Sequence, residues 1–171
     1  YNAAFEEHQN KSKAGSEQKF ACGLADHKEA TTALHTATHL LHAALKKVCS
    51  PDVNQKGSNI TEERLRFDFN YPQPMTAEQI KAVEDMVNEV IKADIPVVMK
   101  EITLEEAKAE GFTGLFESKY GERVKTYTIG DFSKEICGGP HVENTGELGK
   151  FKIVKEQSCG SGLRRIKAVL E

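Results

Sequence analysis

Arg64-Leu65-Arg66-Phe67-Asp68-Phe69 alternates charged and apolar residues without a break. In an extended chain that alternation puts Leu65, Phe67 and Phe69 on one face, as a half-buried strand requires. The residues before it supply a layer for that face to pack on. From about Lys28 to Val48, Leu34, Ala37, Leu41, Leu45 and Val48 recur at steps of three and four, the spacing of an amphipathic helix, and Ser50-Pro51-Asp52 stops it. After the strand, Tyr71-Pro72-Gln73-Pro74 is a turn. A second helix opens at Thr76, with Gln79 completing a capping box, and turns Ile80, Val83, Val87, Val90 and Ile91 inward. Ile95 to Ile102 reads as a strand with Pro96 at its start, and Thr103 with Glu106 caps a short helix that Gly111 ends. Strands follow at about 123–130, 150–156 and 163–170, the last two joined by Cys159-Gly160-Ser161-Gly162. This order predicts an α+β fold, a two-layer sandwich of a mostly antiparallel sheet with helices packed on one face.

Residues 1–27 are polar throughout, with Phe5, Phe20 and Leu24 as the larger apolar groups, and are expected to form an N-terminal helical connector. Residues 28–171 are expected to form one domain. A chain of 171 residues with 39% apolar and 29% charged residues has ordinary globular composition. No apolar run approaches the roughly 18 residues of a membrane span, and no signal-peptide pattern is present. A net charge of −3, from 23 Lys+Arg against 26 Asp+Glu, argues against nucleic-acid binding by bulk electrostatics alone but leaves room for a local basic patch. Four widely spread cysteines, Cys22, Cys49, Cys137 and Cys159, fit reduced thiols and a cytoplasmic location. Tyr1 in place of an initiating methionine suggests a piece of a longer chain.

Two clusters carry chemistry. His35-Thr36-Ala37-Thr38-His39 places imidazoles at i and i+4 of the first helix, about 6 Å apart at Cβ and able to reach one ion. Both point away from the centre of the apolar stripe, so the ion is expected in a cleft rather than in the core. Thr36 stands where a zinc protease has its glutamate base. His42 shares the face but lies about 10 Å along the axis from His35, too far for all three to chelate. The second cluster, Cys137-Gly138-Gly139-Pro140-His141, is a tight turn that brings a thiolate and an imidazole to one point. Together they give one sulfur and three nitrogen donors, a set that favours Zn²⁺. Four protein ligands usually make a closed structural site, whereas catalysis needs an open position, and spacing does not choose between the two.

With these residues in view the chain resembles a known family. The stretches that carry the resemblance are His35-Thr36-Ala37-Thr38-His39-Leu40-Leu41-His42, Gln55-Lys56-Gly57-Ser58, Leu65-Arg66-Phe67-Asp68-Phe69, Gly130-Asp131-Phe132-Ser133-Lys134-Glu135-Ile136-Cys137-Gly138-Gly139-Pro140-His141 and Gly162-Leu163-Arg164-Arg165-Ile166. They are similar to the editing domain of alanyl-tRNA synthetase and to its free-standing AlaX relatives, from about Lys28 to Glu171. The resemblance implies hydrolysis of serine, and also glycine, wrongly attached to the tRNA for alanine. It implies zinc ligands at His35, His39, Cys137 and His141, an active-site glutamine at Gln55 in a loop, and a pocket threonine at Thr38. Helix geometry alone does not choose between Thr36 and Thr38, which stand at roughly 80° to either side of the histidine pair. One position departs from the alanyl pattern: Pro140 stands where that pattern usually has threonine. The threonyl-tRNA synthetase editing domain has proline there, but usually with arginine in place of Gly138.

The chemistry follows from the substrate that the resemblance implies, an activated ester at the 3′ end of a tRNA. Its hydrolysis needs a positioned water and a group that holds the carbonyl or the amino acid. Serine exceeds alanine by one hydroxyl, so the pocket must demand that hydroxyl rather than exclude by size. Lys150, Lys152, Lys155, Arg164, Arg165 and Lys167 flank the last hairpin, and Lys150, Lys152, Arg164 and Arg165 are the candidate tRNA contacts. The alternatives are a structural-zinc RNA-binding module without hydrolysis, threonyl-type editing of Ser-tRNA(Thr), and a zinc hydrolase acting on another small ester.

Overall fold

The computed structural model describes residues 29–112, 122–137 and 140–171, so the expected connector over residues 1–27 and the Gly138-Gly139 turn lie outside the described residues. The first helix, α1, runs Glu29–Val48, and is followed by strands β1 (Gln55–Ile60) and β2 (Leu65–Asn70). Helix α2 spans Ala77–Lys92, strand β3 Val97–Thr103 and the short helix α3 Leu104–Ala109. Strands β4 (Arg123–Ile129) and β5 (Ser133–Ile136), a 3₁₀ turn at Thr145–Leu148, and the long hairpin β6 (Phe151–Gly160) and β7 (Leu163–Leu170) complete it. The α+β class is as expected, and every strand pairing among the described residues is antiparallel. Both expected capping boxes form, at Thr76 with Gln79 and at Thr103 with Glu106.

The strands divide into two sheets rather than one: β1-β2-β7-β6 and β3-β4-β5. In the larger sheet Leu65, Phe67 and Phe69 are fully buried, as their alternation requires, and pack with Leu41, Leu45, Val83 and Val87 of the two helices. Asp68 is also buried, because Arg165 across the β2–β7 pairing takes its carboxylate in two hydrogen bonds of 2.8 and 3.0 Å. The smaller sheet has its own core of Ala107, Phe112, Val124 and Ile136.

Three local readings change. Gln55-Lys56-Gly57-Ser58 is not a loop but the start of β1, paired with β2 through a register shift between Gln55 and Gly57. Its residues carry little apolar signal, and a Cβ on Gly57 would stand 3.2 Å from the Asp68 carboxylate, so a small residue is needed there. Ser133–Ile136, too short and polar to announce itself, is a strand because β4 offers it a hydrogen-bonding edge. The last hairpin turns at Ser161-Gly162 alone, since β6 continues through Gly160, and Gly162 takes the left-handed φ of 69°.

Helix α1 differs most from expectation. Leu34 to Leu45 are all buried, including His35, His39 and His42. The helix is covered on one side by α2 and the larger sheet and on the other by β5. A polar face can be buried in this way only where its groups find partners. The histidines therefore lie within the packed interior rather than in an open cleft. Among the described residues no helix is long and apolar enough to cross a membrane.

Candidate metal centre

The donor atoms of His35, His39, Cys137 and His141 all lie within 4.8 Å of one another. Helix α1 supplies two of them one turn apart, and the segment leaving β5 brings the other two over the helix. Main-chain contacts fix that segment at both ends. The Cys137 amide donates to the Lys125 carbonyl at 3.0 Å, and the Val142 amide to Thr36 Oγ1 at 3.1 Å.

Each imidazole is held by Nδ1 and turns Nε2 toward the others. His35 Nδ1 donates to the Pro140 carbonyl at 3.0 Å, leaving Nε2 3.3 Å from the Cys137 sulfur. His39 Nδ1 donates to the Glu135 carboxylate. His141 Nδ1 lies 3.0 Å from Thr36 Oγ1. That hydroxyl has its own proton committed to the Thr32 carbonyl, at 3.3 Å, so it accepts from His141. Three different outer partners thus select one tautomer, with the proton on Nδ1 and the lone pair on Nε2.

The cluster fits a metal ion on its own chemistry. Nε2 of His39 and Nε2 of His141 are buried and have no hydrogen-bond partner among the described residues, an arrangement that is costly unless something electron-poor lies between them. Burial, together with the neighbouring His39, pushes His35 down to about 3. Burial and the His39 and His35 rings hold His141 lower still. Both rings are therefore neutral at ordinary pH, the form that binds metal. Burial alone would raise Glu135, but the His39 and His42 N–H groups hold its carboxyl well below the usual range, so it faces them as an anion. Three imidazoles and a thiol make the donor set of a zinc site.

The other expected residues are placed less uniformly. Thr38 is buried, and its hydroxyl donates to the Leu34 carbonyl of its own helix at 2.9 Å. Gln55 is half-buried at the first position of β1, and among the described residues no hydrogen bond joins its side chain to the metal cluster. Arg164 pairs with Glu156 across the hairpin and Arg165 with Asp68. Lys150 and Lys152 are exposed at the start of β6, Lys152 with Glu171 at 3.8 Å. Sequence reading missed Glu135 and the part played by Thr36. Glu135 lies two residues before a candidate ligand, and a strand puts i and i+2 on one face, which is the one signal that pointed to it.

Residues 124–167 match the family model of the threonyl and alanyl tRNA synthetase second additional domain. The chain is 63% identical over 171 residues to an alanine–tRNA ligase of Treponema denticola, covering all of this chain and 28% of that protein. It is 55% identical over 171 residues to that of Treponema pallidum, again 100% of this chain and 28% of the relative. Against that of Petrotoga mobilis it is 53% identical over 142 residues, 83% of this chain and 16% of the relative. The chain thus spans about 28% of the length of the first two relatives.

Proposed function

For a chain that belongs to the threonyl and alanyl tRNA synthetase second additional domain family, we propose zinc-dependent hydrolysis of mischarged aminoacyl-tRNA. The substrate is chiefly Ser-tRNA(Ala), with Gly-tRNA(Ala) as a second, and the activity belongs to the editing domain of a larger, cytoplasmic alanyl-tRNA synthetase or a trans-acting relative. The observation that carries this reading is the convergence of three Nε2 atoms and one thiol, each imidazole fixed from behind, in a chain 63% identical to an alanine–tRNA ligase.

His35, His39, Cys137 and His141 hold the zinc, which when bound supplies a positive charge that polarises a carbonyl or a water. The rest is done by the chain itself. Thr38 has spent its proton on Leu34, so it offers lone pairs only and accepts from the serine hydroxyl or ammonium. Gln55 carries both a donor and an acceptor and positions the serine hydroxyl or the attacking water. Alanine brings no hydroxyl and leaves Thr38 and Gln55 without that partner, which is the basis for sparing the correct product. Glycine also lacks the hydroxyl, so this contact does not account for its removal. Lys150 and Lys152, with the outward N–H groups of Arg164 and Arg165, contact phosphates near the acceptor end of the tRNA.

A second reading is a closed, structural zinc site in an RNA-binding module, and four protein donors within 4.8 Å favour it. Hydrolysis assays on Ser-tRNA(Ala), Ala-tRNA(Ala) and Ser-tRNA(Thr) separate the possibilities. The proposal expects fast loss of serine from the first, little loss of alanine from the second and slower loss from the third. Binding of all three without hydrolysis supports the structural module, and preference for Ser-tRNA(Thr) supports threonyl-type editing.

A further inference from the structure

His42 is buried, stands outside the metal cluster, and has a partner at both ring nitrogens. Nδ1 lies 2.8 Å from Glu135 Oε1, the oxygen of that carboxylate not taken by His39. Nε2 lies 3.2 Å from the carbonyl of Val53, two residues before Gln55. The ring packs against Phe67, with centroids 5.4 Å apart, so it cannot swing away from either partner without disturbing the core. The segment it reaches has other ties as well: the Val53 side chain is fully buried in the core, and the Asn70 side chain donates to the Asp52 carbonyl at 2.9 Å. The Val53 amide donates back to the Ser50 carbonyl at 3.1 Å, and the Asn54 amide to the Asn70 side chain at 2.6 Å. Gln55 stands opposite Phe69 in the ladder, and just beyond it the pairing with β2 shifts register.

Both partners of His42 are acceptors, so with N–H on both of its ring nitrogens a continuous set of hydrogen bonds runs from the metal ligand His39 to Glu135, to His42 and to the Val53 carbonyl. We infer that His42 is a positioning residue, a strut that sets the Val53–Gln55 segment relative to the metal centre. That Gln55 then acts on substrate rests on the function proposed above; that His42 fixes its backbone does not.

Two substitutions separate the two ends of the strut. An asparagine side chain puts its amide nitrogen about where Nδ1 lies, and a glutamine about where Nε2 lies. His42→Asn keeps the donor to Glu135 and loses the one to Val53, while His42→Gln does the reverse. The zinc-loaded full chain is compared in both forms by zinc affinity against a chromophoric chelator and by amide hydrogen exchange over residues 54–57. His42→Asn is expected to leave zinc affinity unchanged and to speed exchange in that segment about tenfold, the worth of one hydrogen bond. His42→Gln is expected to keep the exchange pattern and weaken zinc about tenfold through the freed Glu135. On Ser-tRNA(Ala), His42→Asn lowers kcat with KM unchanged. Unchanged exchange in His42→Asn, parallel changes in both variants, or loss of cooperative melting in both overturns the inference and makes His42 a packing residue. If the parent hydrolyses no aminoacyl ester, the proposed function fails, while zinc affinity and exchange still decide the role of His42.

Discussion

Thr36 Oγ1 lies 3.0 Å from Nδ1 of His141, joining two residues 105 positions apart in the chain. The same oxygen accepts from the Val142 amide and donates to the Thr32 carbonyl, so its hydrogen-bonding capacity is filled. One helix hydroxyl thus holds both the tautomer of a candidate ligand and the backbone that carries it. Thr36→Val keeps the shape and removes that function, and is expected to weaken zinc binding about tenfold, with Thr36→Ser close to the parent. Chelator competition measures both. Equal affinities for the valine and parent forms contradict the assignment.

Glu135 is the corresponding partner of His39. Glu135→Gln replaces one carboxylate oxygen with an N–H donor, while His39 and His42 both need acceptors there. Either His39 takes the other tautomer, which aims a proton from Nε2 into the cluster, or His42 loses its partner. Zinc affinity is expected to fall about 10- to 100-fold with the fold intact by circular dichroism. An affinity equal to the parent's would show that the carboxylate does not set the ligand.

The pH dependence has a definite sign. In the unfolded chain His35 titrates near 6.5, and in the folded chain burial pushes it down to about 3, with His141 lower still. Between those values the unfolded chain binds more protons, so this stabilisation is complete above pH 6.5 and is lost progressively as pH falls toward 3. Thermal melts of the metal-free chain at about pH 7.5 and about pH 5 are expected to show a lower Tm at the acid end. A Tm independent of pH over that window contradicts neutral, buried imidazoles.

The sequence made the candidate ligands legible because each motif is local: His35 and His39 are one helical turn apart, and Cys137 and His141 flank one short turn. Their outer partners were not legible, because each comes from a distant element, Pro140 to His35, Glu135 to His39 and Thr36 to His141. The apolar alternation of β2 was visible for the same local reason. β1 and β5 exist through pairing with neighbours and carry no apolar alternation of their own. Thr38 illustrates the limit from the other side. Resemblance named it as the pocket threonine, and local geometry adds only that its proton is held by Leu34, while Thr36 stands behind the candidate ligand His141.

The basic pairs on the last hairpin divide by their partners. Arg165 is tied to the buried Asp68, so Arg165→Ala leaves that carboxylate short of donors and is expected to cost about 1–3 kcal/mol of stability. Lys150 and Lys152 are exposed, and their double alanine variant is expected to leave Tm unchanged while weakening tRNA binding and flattening its salt dependence. Salt titrations of tRNA affinity, read beside thermal melts, measure both effects. An unchanged salt slope in the lysine variant removes this face from the tRNA contact.

The most direct test of the account is a titration of zinc into the metal-free chain, with bound zinc and Ser-tRNA(Ala) hydrolysis followed in the same samples. Both are expected to rise together and level off at one zinc per chain, and Cys137→Ala is expected to lose both. Full hydrolysis before any zinc is bound, or a full complement of zinc with no hydrolysis, contradicts it.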